Sequence, residues 1–399
     1  MISILKNNLA CSRFSLIPLI CFFTILTYGE ILPEPLRANL VYVLWSIVLV
    51  ECLFTCKLKI SRQALFFICA GLLFFVLLLI LSFFNSDKSY FTSSICLTVG
   101  ISIMIFFCGC ALGNKLNEDD VDVILRWFVL GSLVMGSVYF VQNLSTGFNL
   151  TSRIYNNVSF NKNSAAQLIS SAICIMILRF DKNKAKISTA IRIFLILYLT
   201  IILFLMRSRS CIFCFAFAIV IMMLSKYTNS KVKKWIYSVL VVVVIVFAVN
   251  SNLRRILFEQ ILFANRGVSN LDDLSSGRIA IYSSFWNLVS GNELFGKGAL
   301  YYECFYLSAI VQFGFPVGLY LWGLVLHALI CVKKMYSNFK YGWLMMILAI
   351  SYSLNGIFEG LPPFGPGTKN FLLWLLFGTA CSQMLYVDLN KKRYMSNDI

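Results

Sequence analysis

Charged residues are scarce in this chain of 399 residues, and acidic ones especially so. Asp, Glu, Lys and Arg make up only 13% of the sequence, whereas soluble proteins carry about a quarter. Histidine occurs once, and the 14 cysteines are scattered, mostly through apolar stretches; the Cys-x-x-Cys pair of Cys211 and Cys214 lies in an apolar run with no histidine near it. These absences argue against a soluble globular domain, a zinc site and a disulfide framework, and they indicate cysteines that pack as small apolar residues.

Long apolar runs stand where charge is missing, and 59% of the residues are hydrophobic. Runs of about 18 or more apolar residues are typical of transmembrane helices, and the period-two alternation of a transmembrane barrel is absent. The first run lacks a small-residue cleavage site, so we interpret it as a span rather than a signal peptide. The sequence predicts an all-α polytopic integral membrane protein, one transmembrane domain over 1–399, with about twelve spans: roughly 14–32, 38–56, 63–84, 91–113, 123–143, 164–180, 191–206, 210–225, 235–250, 304–332, 341–358 and 370–388.

The basic residues predict which side of the membrane each loop occupies. Lysines gather in the loops after spans two, six, eight and ten and at both termini, and all of these loops fall on one side. Positive residues mark the cytoplasmic side, so both termini are predicted to be cytoplasmic. This topology accounts for the net charge of +17, and no nucleic-acid partner is expected.

Arginine is concentrated on the opposite, outer side, where topology gives no reason for positive charge. Lys88 and Lys297 share that side. The outer arginines of interest lie in the link between spans seven and eight, or in a large loop, 251–303, between spans nine and ten: Arg207, Arg209, Arg254, Arg255 and Arg278. The planar arginine fork suits bidentate contact with phosphate or carboxylate. The sequence therefore predicts an anionic ligand at the outer membrane surface.

Two segments of the large loop have helical spacing. The segment from about Asn250 to Phe263 is predicted to be an amphipathic helix at the membrane surface. The segment from Arg278 to Val289 also carries apolar residues at helical spacing, with Ser275-Ser276 as its cap. Arg278 would then lie in the first turn, where the helix dipole prefers an acid, so a ligand contact is favoured for it.

Several short motifs follow one another from about Asn161 to Phe315. They are Asn161-Lys162-Asn163-Ser164, Arg207-Ser208-Arg209-Ser210, Ser276-Gly277-Arg278 with Trp286, Leu294-Phe295-Gly296-Lys297-Gly298, and Glu303-Cys304-Phe305-Tyr306-Leu307 leading to Val311-Gln312-Phe313-Gly314. Their order, spacing and placement resemble the bacterial superfamily of O-antigen polymerases and O-antigen ligases, which are polytopic lipid-linked glycosyltransferases.

The resemblance implies a reaction and a location. The donor would be an undecaprenyl-pyrophosphate-linked oligosaccharide at the periplasmic face of the bacterial inner (cytoplasmic) membrane. Arg209 and Arg278 would act on the pyrophosphate leaving group, with further substrate contacts from Arg207, Arg254, Arg255 and Tyr302. No cofactor or metal is expected. The expected partners are the lipid-linked glycan and the lipid bilayer, and a chain-length regulator protein could be another.

One position departs from the ligases of the superfamily, many of which carry a histidine where the large loop enters the next span. Here Glu303 stands at that position, and the sole histidine, His327, is predicted to be a packed residue deep in span ten. A carboxylate can act as a general base, so Glu303 is a candidate catalytic residue, although it could equally form a structural pair with an arginine. The substitution favours an O-antigen or surface polysaccharide polymerase that extends a lipid-linked repeat unit. A ligase acting on lipid A-core and a flippase of lipid-linked oligosaccharides stay open as alternatives.

Overall fold

The computed structural model describes residues 16–28, 34–56, 60–85, 87–92, 94–113, 115–145, 162–178, 186–255, 278–300, 302–336, 339–359 and 369–383. Within these ranges the chain is built of α-helices joined by turns, and they contain no strand. The helices are α1 Leu16–Leu26, α2 Glu34–Thr55, α3 Arg62–Phe84, α4 Ser94–Leu112, α5 Glu118–Ser145, α6 Lys162–Leu178, α7 Lys186–Leu205, α8 Arg209–Leu224, α9 Ser230–Val249, α10 Ser251–Arg255, α11 Arg278–Ser283, α12 Phe285–Val289, α13 Phe305–Met335, α14 Gly342–Asn355 and α15 Phe371–Gln383.

Every apolar segment that the sequence analysis interprets as a span overlaps one of these helices. Among the described residues, four helices are long and apolar enough to cross a membrane: α3, α4, α5 and α13. The described residues also contain seven shorter apolar helical segments of 10–17 residues. The longest helix, α13, has 31 residues and a length of about 46 Å. The prediction of an all-α polytopic membrane protein is confirmed.

The contacts divide the chain into two compact units. The first consists of Met1–Thr24, Pro35–Trp127 and Ser284–Ile399, and the second of Ile25–Glu34 and Phe128–Ser283. The large loop that the sequence predicts over 251–303 therefore contributes to both units. The single transmembrane domain over 1–399 stays a prediction.

Close backbone packing joins α4 and α15 in the first unit. A Cβ atom at Gly378 would lie 2.8 Å from the Cys110 nitrogen, and one at Gly109 would lie 3.2 Å from the Gly378 Cα atom. Small residues at such a crossing let two membrane helices approach without a side chain between them. This contact fixes the position of α15 within the unit.

His327 lies on α13 among aromatic rings. Its ring centroid is 4.5 Å from that of Phe66 and 5.2 Å from that of Phe67, both on α3. Its Nε2 atom is 3.5 Å from the Cys331 sulfur one turn further along α13. His327 is thus a packed residue with a local hydrogen-bond partner, as the sequence analysis predicts.

Polar contacts in the first unit join loops that the sequence analysis places on the same side. Lys340 forms an ion pair with Glu118, and both residues belong to loops predicted to be cytoplasmic. Lys88 donates a hydrogen bond of 2.7 Å to the Gly296 carbonyl, and both belong to loops predicted to be outside. These pairs agree with the predicted alternation of sides, while the absolute orientation stays a prediction.

The second unit is organised around α6, in which every residue from Ser164 to Ile177 is buried. α6 packs against α7 and α8. On the neighbouring α5, the Ser137 hydroxyl lies 2.9 Å from the Tyr198 hydroxyl of α7, and the Tyr139 hydroxyl donates to the Leu205 carbonyl at 3.2 Å. The end of α7 is therefore fixed by side chains of α5.

Candidate functional site

The link between α7 and α8 holds two of the predicted arginines. We call residues 207–209 the arginine turn. The last turn of α7 closes through hydrogen bonds from the Met206 and Arg207 N–H groups to carbonyls of α7, at 2.9 and 3.0 Å. Arg207 then has φ 51, and it is the non-glycine residue with positive φ among those described. A left-handed conformation costs an L-residue about 1–2 kcal/mol, which a glycine would avoid. Strain of this kind that is kept at a non-glycine residue often marks a functional position.

Asn163, near the start of α6, fixes the arginine turn. Ser208 stands at the N-cap of α8 but makes no side-chain cap hydrogen bond. Its hydroxyl donates instead to Asn163 Oδ1 at 2.8 Å. The Asn163 carbonyl accepts a hydrogen bond of 3.2 Å from the Cys211 thiol in the first turn of α8. Asn163 therefore contacts α8 on both sides of Arg209 in the sequence.

A buried polar face of α6 continues from Asn163. Ser164 and Gln167 are 0% and 2% exposed, and the hydroxyls of Ser170 and Ser171 both donate to the Gln167 carbonyl at 2.9 and 2.8 Å. These residues recur at helical spacing on one side of α6. Polar groups at membrane depth are costly and often functional, so this face and the arginine turn form the main candidate site of the second unit.

Arg207 and Arg209 are both partly exposed, whereas the adjacent Ser208 is buried. The Nε atom of Arg207 is itself buried, so only part of that side chain is accessible. Partly exposed arginines on a backbone fixed by a buried residue are suited to binding an anion with little reorganisation.

The helix predicted from Arg278 to Val289 is present with an interruption. Ser284 separates α11 from α12, and Arg278 is the first residue of α11 and partly exposed. The predicted cap, Ser275-Ser276, lies outside the described residues. Arg278 is thus in the first helical turn, as expected.

The other predicted helix of the large loop is described only in its first part. α10 covers Ser251–Arg255, and the rest of the segment predicted up to Phe263 lies outside the described residues. Arg255 is exposed at the end of α10, and the side chain of Arg254 lies outside the described residues.

A break in α13 lies close to the candidate residues of the first unit. Gly314 has φ 78 and ψ 171, which interrupts the helix. In a regular helix the carbonyls of Val311 and Gln312 would accept hydrogen bonds from the N–H groups four residues later. Pro316 has no N–H group, and the chain around Gly314 has left the helical path. The two carbonyls are therefore available to partners outside the helix.

The segment Leu294–Gly298 of the large loop supplies those partners. Three backbone hydrogen bonds connect the loop to the break: Lys297 N–H to the Val311 carbonyl at 2.8 Å, Gly298 N–H to the Gln312 carbonyl at 3.0 Å, and Phe315 N–H to the Glu293 carbonyl at 2.7 Å. Because buried backbone groups need partners, the loop and the break stabilise each other.

Two glycines make this close approach possible. Gly296 has φ 66, and a Cβ atom there would lie 2.5 Å from the Gly314 nitrogen. A Cβ atom at Gly314 would lie 2.5 Å from the Leu294 carbonyl carbon. Both positions need glycine for their conformation and for space, which gives the Leu-Phe-Gly-Lys-Gly motif a structural explanation.

The outer loop after α3 holds the same segment from its other side. The Lys88 ammonium group donates to Asn292 Oδ1 at 2.9 Å and to the Gly296 carbonyl at 2.7 Å. The Tyr90 hydroxyl donates to the Phe295 carbonyl at 2.8 Å. Lys88 is one of the basic residues predicted to be outside, and its charge serves here to position a loop.

Tyr302 and Glu303 follow this segment at the start of α13. Tyr302 is 5% exposed and shares a side-chain hydrogen bond with Ser284, and burial raises the pKa of its phenol. Glu303 is partly exposed. The N–H of Phe305, two residues later, donates to the Glu359 carbonyl at 2.8 Å, which ties this stretch to the end of α14. The substrate contact predicted for Tyr302 and the catalytic role predicted for Glu303 stay predictions.

Further buried polar residues lie at the end of α14 and just before α15. Asn355 is 1% exposed, Glu359 9%, Lys369 0% and Asn370 1%. A fully buried lysine is rare in any protein, so the entry of the chain into α15 is a polar region of the first unit.

The described residues contain no group of three or more His, Cys, Asp and Glu that could hold a metal ion. Their cysteines are free, and nearly all of them are buried. This agrees with the interpretation of the cysteines as packing residues.

The predicted site residues are distributed over both compact units. Arg207, Arg209, Arg255 and Arg278 belong to the second unit, and Tyr302 and Glu303 belong to the first. The structure thus fixes each group within its own unit. Sequence reasoning named the motif of Asn163 without a role for it, and it did not assign the positions of Lys88 and Gly314.

Comparison with known proteins identifies one family. A sequence profile described as O-antigen ligase matches residues 193–315, which run from within α7 through the arginine turn and the large loop to the break in α13. No curated protein sequence matches the chain significantly.

Proposed function

We propose that this chain, a member of the O-antigen polymerase and ligase superfamily, is a polymerase. It would transfer a glycan from its undecaprenyl-pyrophosphate carrier to a lipid-linked repeat unit at the periplasmic face of the inner membrane. Glycosyl transfer is the kind of reaction that the matched family implies. The observation that carries the finer proposal is the arginine turn, with its left-handed Arg207 and its anchor on Asn163.

The arginine turn suits a pyrophosphate for two physical reasons. Arg207 and Arg209 offer planar donors that match phosphate oxygens in a bidentate arrangement. Arg209 is also the first residue of α8, and the positive end of a helix dipole favours an anion at that place. The Ser208 hydroxyl does not occupy the cap position of α8, because it makes no side-chain cap hydrogen bond there.

The reaction follows from the leaving group. The oxygen of an acceptor hydroxyl bonds to the anomeric carbon of the donor glycan, and the bond from that carbon to the pyrophosphate oxygen breaks. Undecaprenyl pyrophosphate leaves with the electron pair, and Arg209 and Arg278 stabilise the charge that develops on it. Glu303 accepts the proton of the acceptor hydroxyl. Arg207, Arg254, Arg255 and Tyr302 serve as further substrate contacts.

Replacement of Arg209 tests the proposal. In cells that lack the chromosomal gene, Arg209→Ala should reduce the rate of polymerisation about 10- to 100-fold, because charged hydrogen bonds contribute about 1.5–3 kcal/mol. The lipopolysaccharide ladder on a gel should then shrink to a core with one repeat unit. Arg209→Lys should restore the ladder only in part, since lysine keeps the charge and loses the fork. Lys231→Ala in the exposed first turn of α9 is the control and should leave the ladder intact. A normal ladder from Arg209→Ala would refute the proposed role.

The ligase is the second candidate, and the description of the matched family favours it. The presence of Glu303 where many ligases have histidine supports the polymerase instead. Deletion of the gene separates the two activities. Loss of a polymerase leaves a lipopolysaccharide core that bears one repeat unit, whereas loss of a ligase leaves bare core. Bare core in the deletion strain would refute the polymerase and support the ligase.

A further inference from the structure

The proposed function uses the anchor on Asn163 but gives Asn163 itself no role in the reaction. We propose that Asn163 is a positioning residue that presents Arg209 to the pyrophosphate of the donor. The inference rests on the proposed function, because Arg209 is the residue that would contact the leaving group. Asn163 itself would not touch the substrate.

The first support is that Asn163 contacts the chain on both sides of Arg209. Its side-chain oxygen accepts the Ser208 hydroxyl at 2.8 Å, one residue before Arg209. Its carbonyl accepts the Cys211 thiol at 3.2 Å, two residues after Arg209. Hydrogen bonds on both sides of Arg209 restrict its backbone. The Arg209 side chain therefore extends from a Cα atom with a fixed position.

The second support is that the Ser208 side chain does not cap its own helix. Serine at an N-cap normally accepts a hydrogen bond from the first turn of its own helix. Ser208 makes no such bond and donates to Asn163 instead. The arrangement favours the link to α6 over the local stability of α8.

The third support is burial. Ser208 is 1% exposed and Cys211 is 2% exposed, and Ser164 next to Asn163 is fully buried. Loss of the Asn163 side chain would leave the Ser208 hydroxyl buried without this partner, whereas Asn163 itself is partly exposed. Removal of either partner should therefore change the geometry of the turn and so the affinity for its anion.

A double-mutant cycle on the full-length protein in detergent tests the inference. The variants are Asn163→Ala, Ser208→Ala and the two combined, and the measured quantity is the dissociation constant for undecaprenyl pyrophosphate. Thr379→Val is the matched control, because it removes a buried helical hydroxyl outside the candidate site, on α15, whose partner is the Leu375 carbonyl. Thermal unfolding of each variant is measured in parallel, and Arg209→Ala reports on the proposed function.

Each single variant should weaken binding about tenfold, and the double variant should weaken it about tenfold as well, since one hydrogen bond is removed in all three. The control should bind like the wild type. Wild-type affinity in both single variants, or a loss of about a hundredfold in the double variant, would overturn the role of Asn163. If Asn163→Ala does not fold, the comparison of Ser208→Ala with the control decides: a tenfold loss supports the inference and no loss overturns it. Wild-type affinity in Arg209→Ala would instead refute the proposed function.

Discussion

Replacement of Gly296 by alanine should separate the large loop from α13. The added Cβ atom would lie 2.5 Å from the Gly314 nitrogen and would also overlap the Gln312 carbonyl group. Ordinary contacts between such atoms are about 3.5 Å or more. The obstacle is backbone on a packed helix, so neither side can yield by a change of rotamer. Relief requires the loop to move away from the break.

The expected loss has three parts. Alanine at φ 66 costs about 1–2 kcal/mol because the left-handed region disfavours a side chain. Movement of the loop then breaks the hydrogen bonds from Lys297 and Gly298 to α13, each of which contributes about 1 kcal/mol net. The two carbonyls that lose their partners in the break add about 1–3 kcal/mol. Gly296→Ala should therefore reduce the free energy of unfolding by about 4–7 kcal/mol.

Gly291 provides the matched control. It also has a left-handed conformation, with φ 76, but a Cβ atom there would meet nothing within 4 Å. Gly291→Ala should therefore cost only the conformational part, about 1–2 kcal/mol. The assay is thermal unfolding of the purified protein in one detergent, with the glycan ladder in cells as a functional measurement. Equal shifts of the melting temperature in the two variants would refute the interdependence of the loop and the helix.

Other replacements test the roles of individual side chains. Lys88→Met should lower the melting temperature, because two hydrogen bonds to the loop are lost. Lys297→Met is the control and should leave the melting temperature unchanged, because that side chain is exposed. Equal melting temperatures of the two variants would contradict the role of Lys88. His327→Phe should retain polymerisation, because the ring packs among phenylalanines; loss of the ladder with the protein still in the membrane would show a chemical role. Glu303→Gln should slow transfer about 100-fold or more while the protein stays folded, and a wild-type rate in membranes would exclude Glu303 as the base.

The helices could be predicted because each depends on one continuous stretch of sequence. The apolar run that forms α3 leaves no alternative to a helix in a membrane, since every backbone group must be satisfied within the segment. The same argument applies to α4 and α5. The position of Arg278 in a first turn also follows from local spacing. The interruption at Ser284 could not be predicted, because the helical spacing of apolar residues from Arg278 to Val289 continues through it.

The geometry of the candidate site depends on contacts between distant residues, and for that reason the sequence did not reveal it. The left-handed conformation of Arg207 has no local signal, since no glycine or asparagine marks the position. It is fixed by the pairing of Ser208 with Asn163, which is 45 residues away. Pro316 is visible in the sequence of α13, but the partner that fills the resulting gap comes from the large loop.

The break in α13 also decides where the large loop can be exchanged with that of another protein. A loop graft that ends at residue 303 would place a foreign segment against carbonyl groups that fit the native one. A chimera that instead carries residues 293–316 together transfers both the loop and the break. Exchange with another chain that matches the same family profile should therefore succeed with the second boundary and yield misassembled protein with the first.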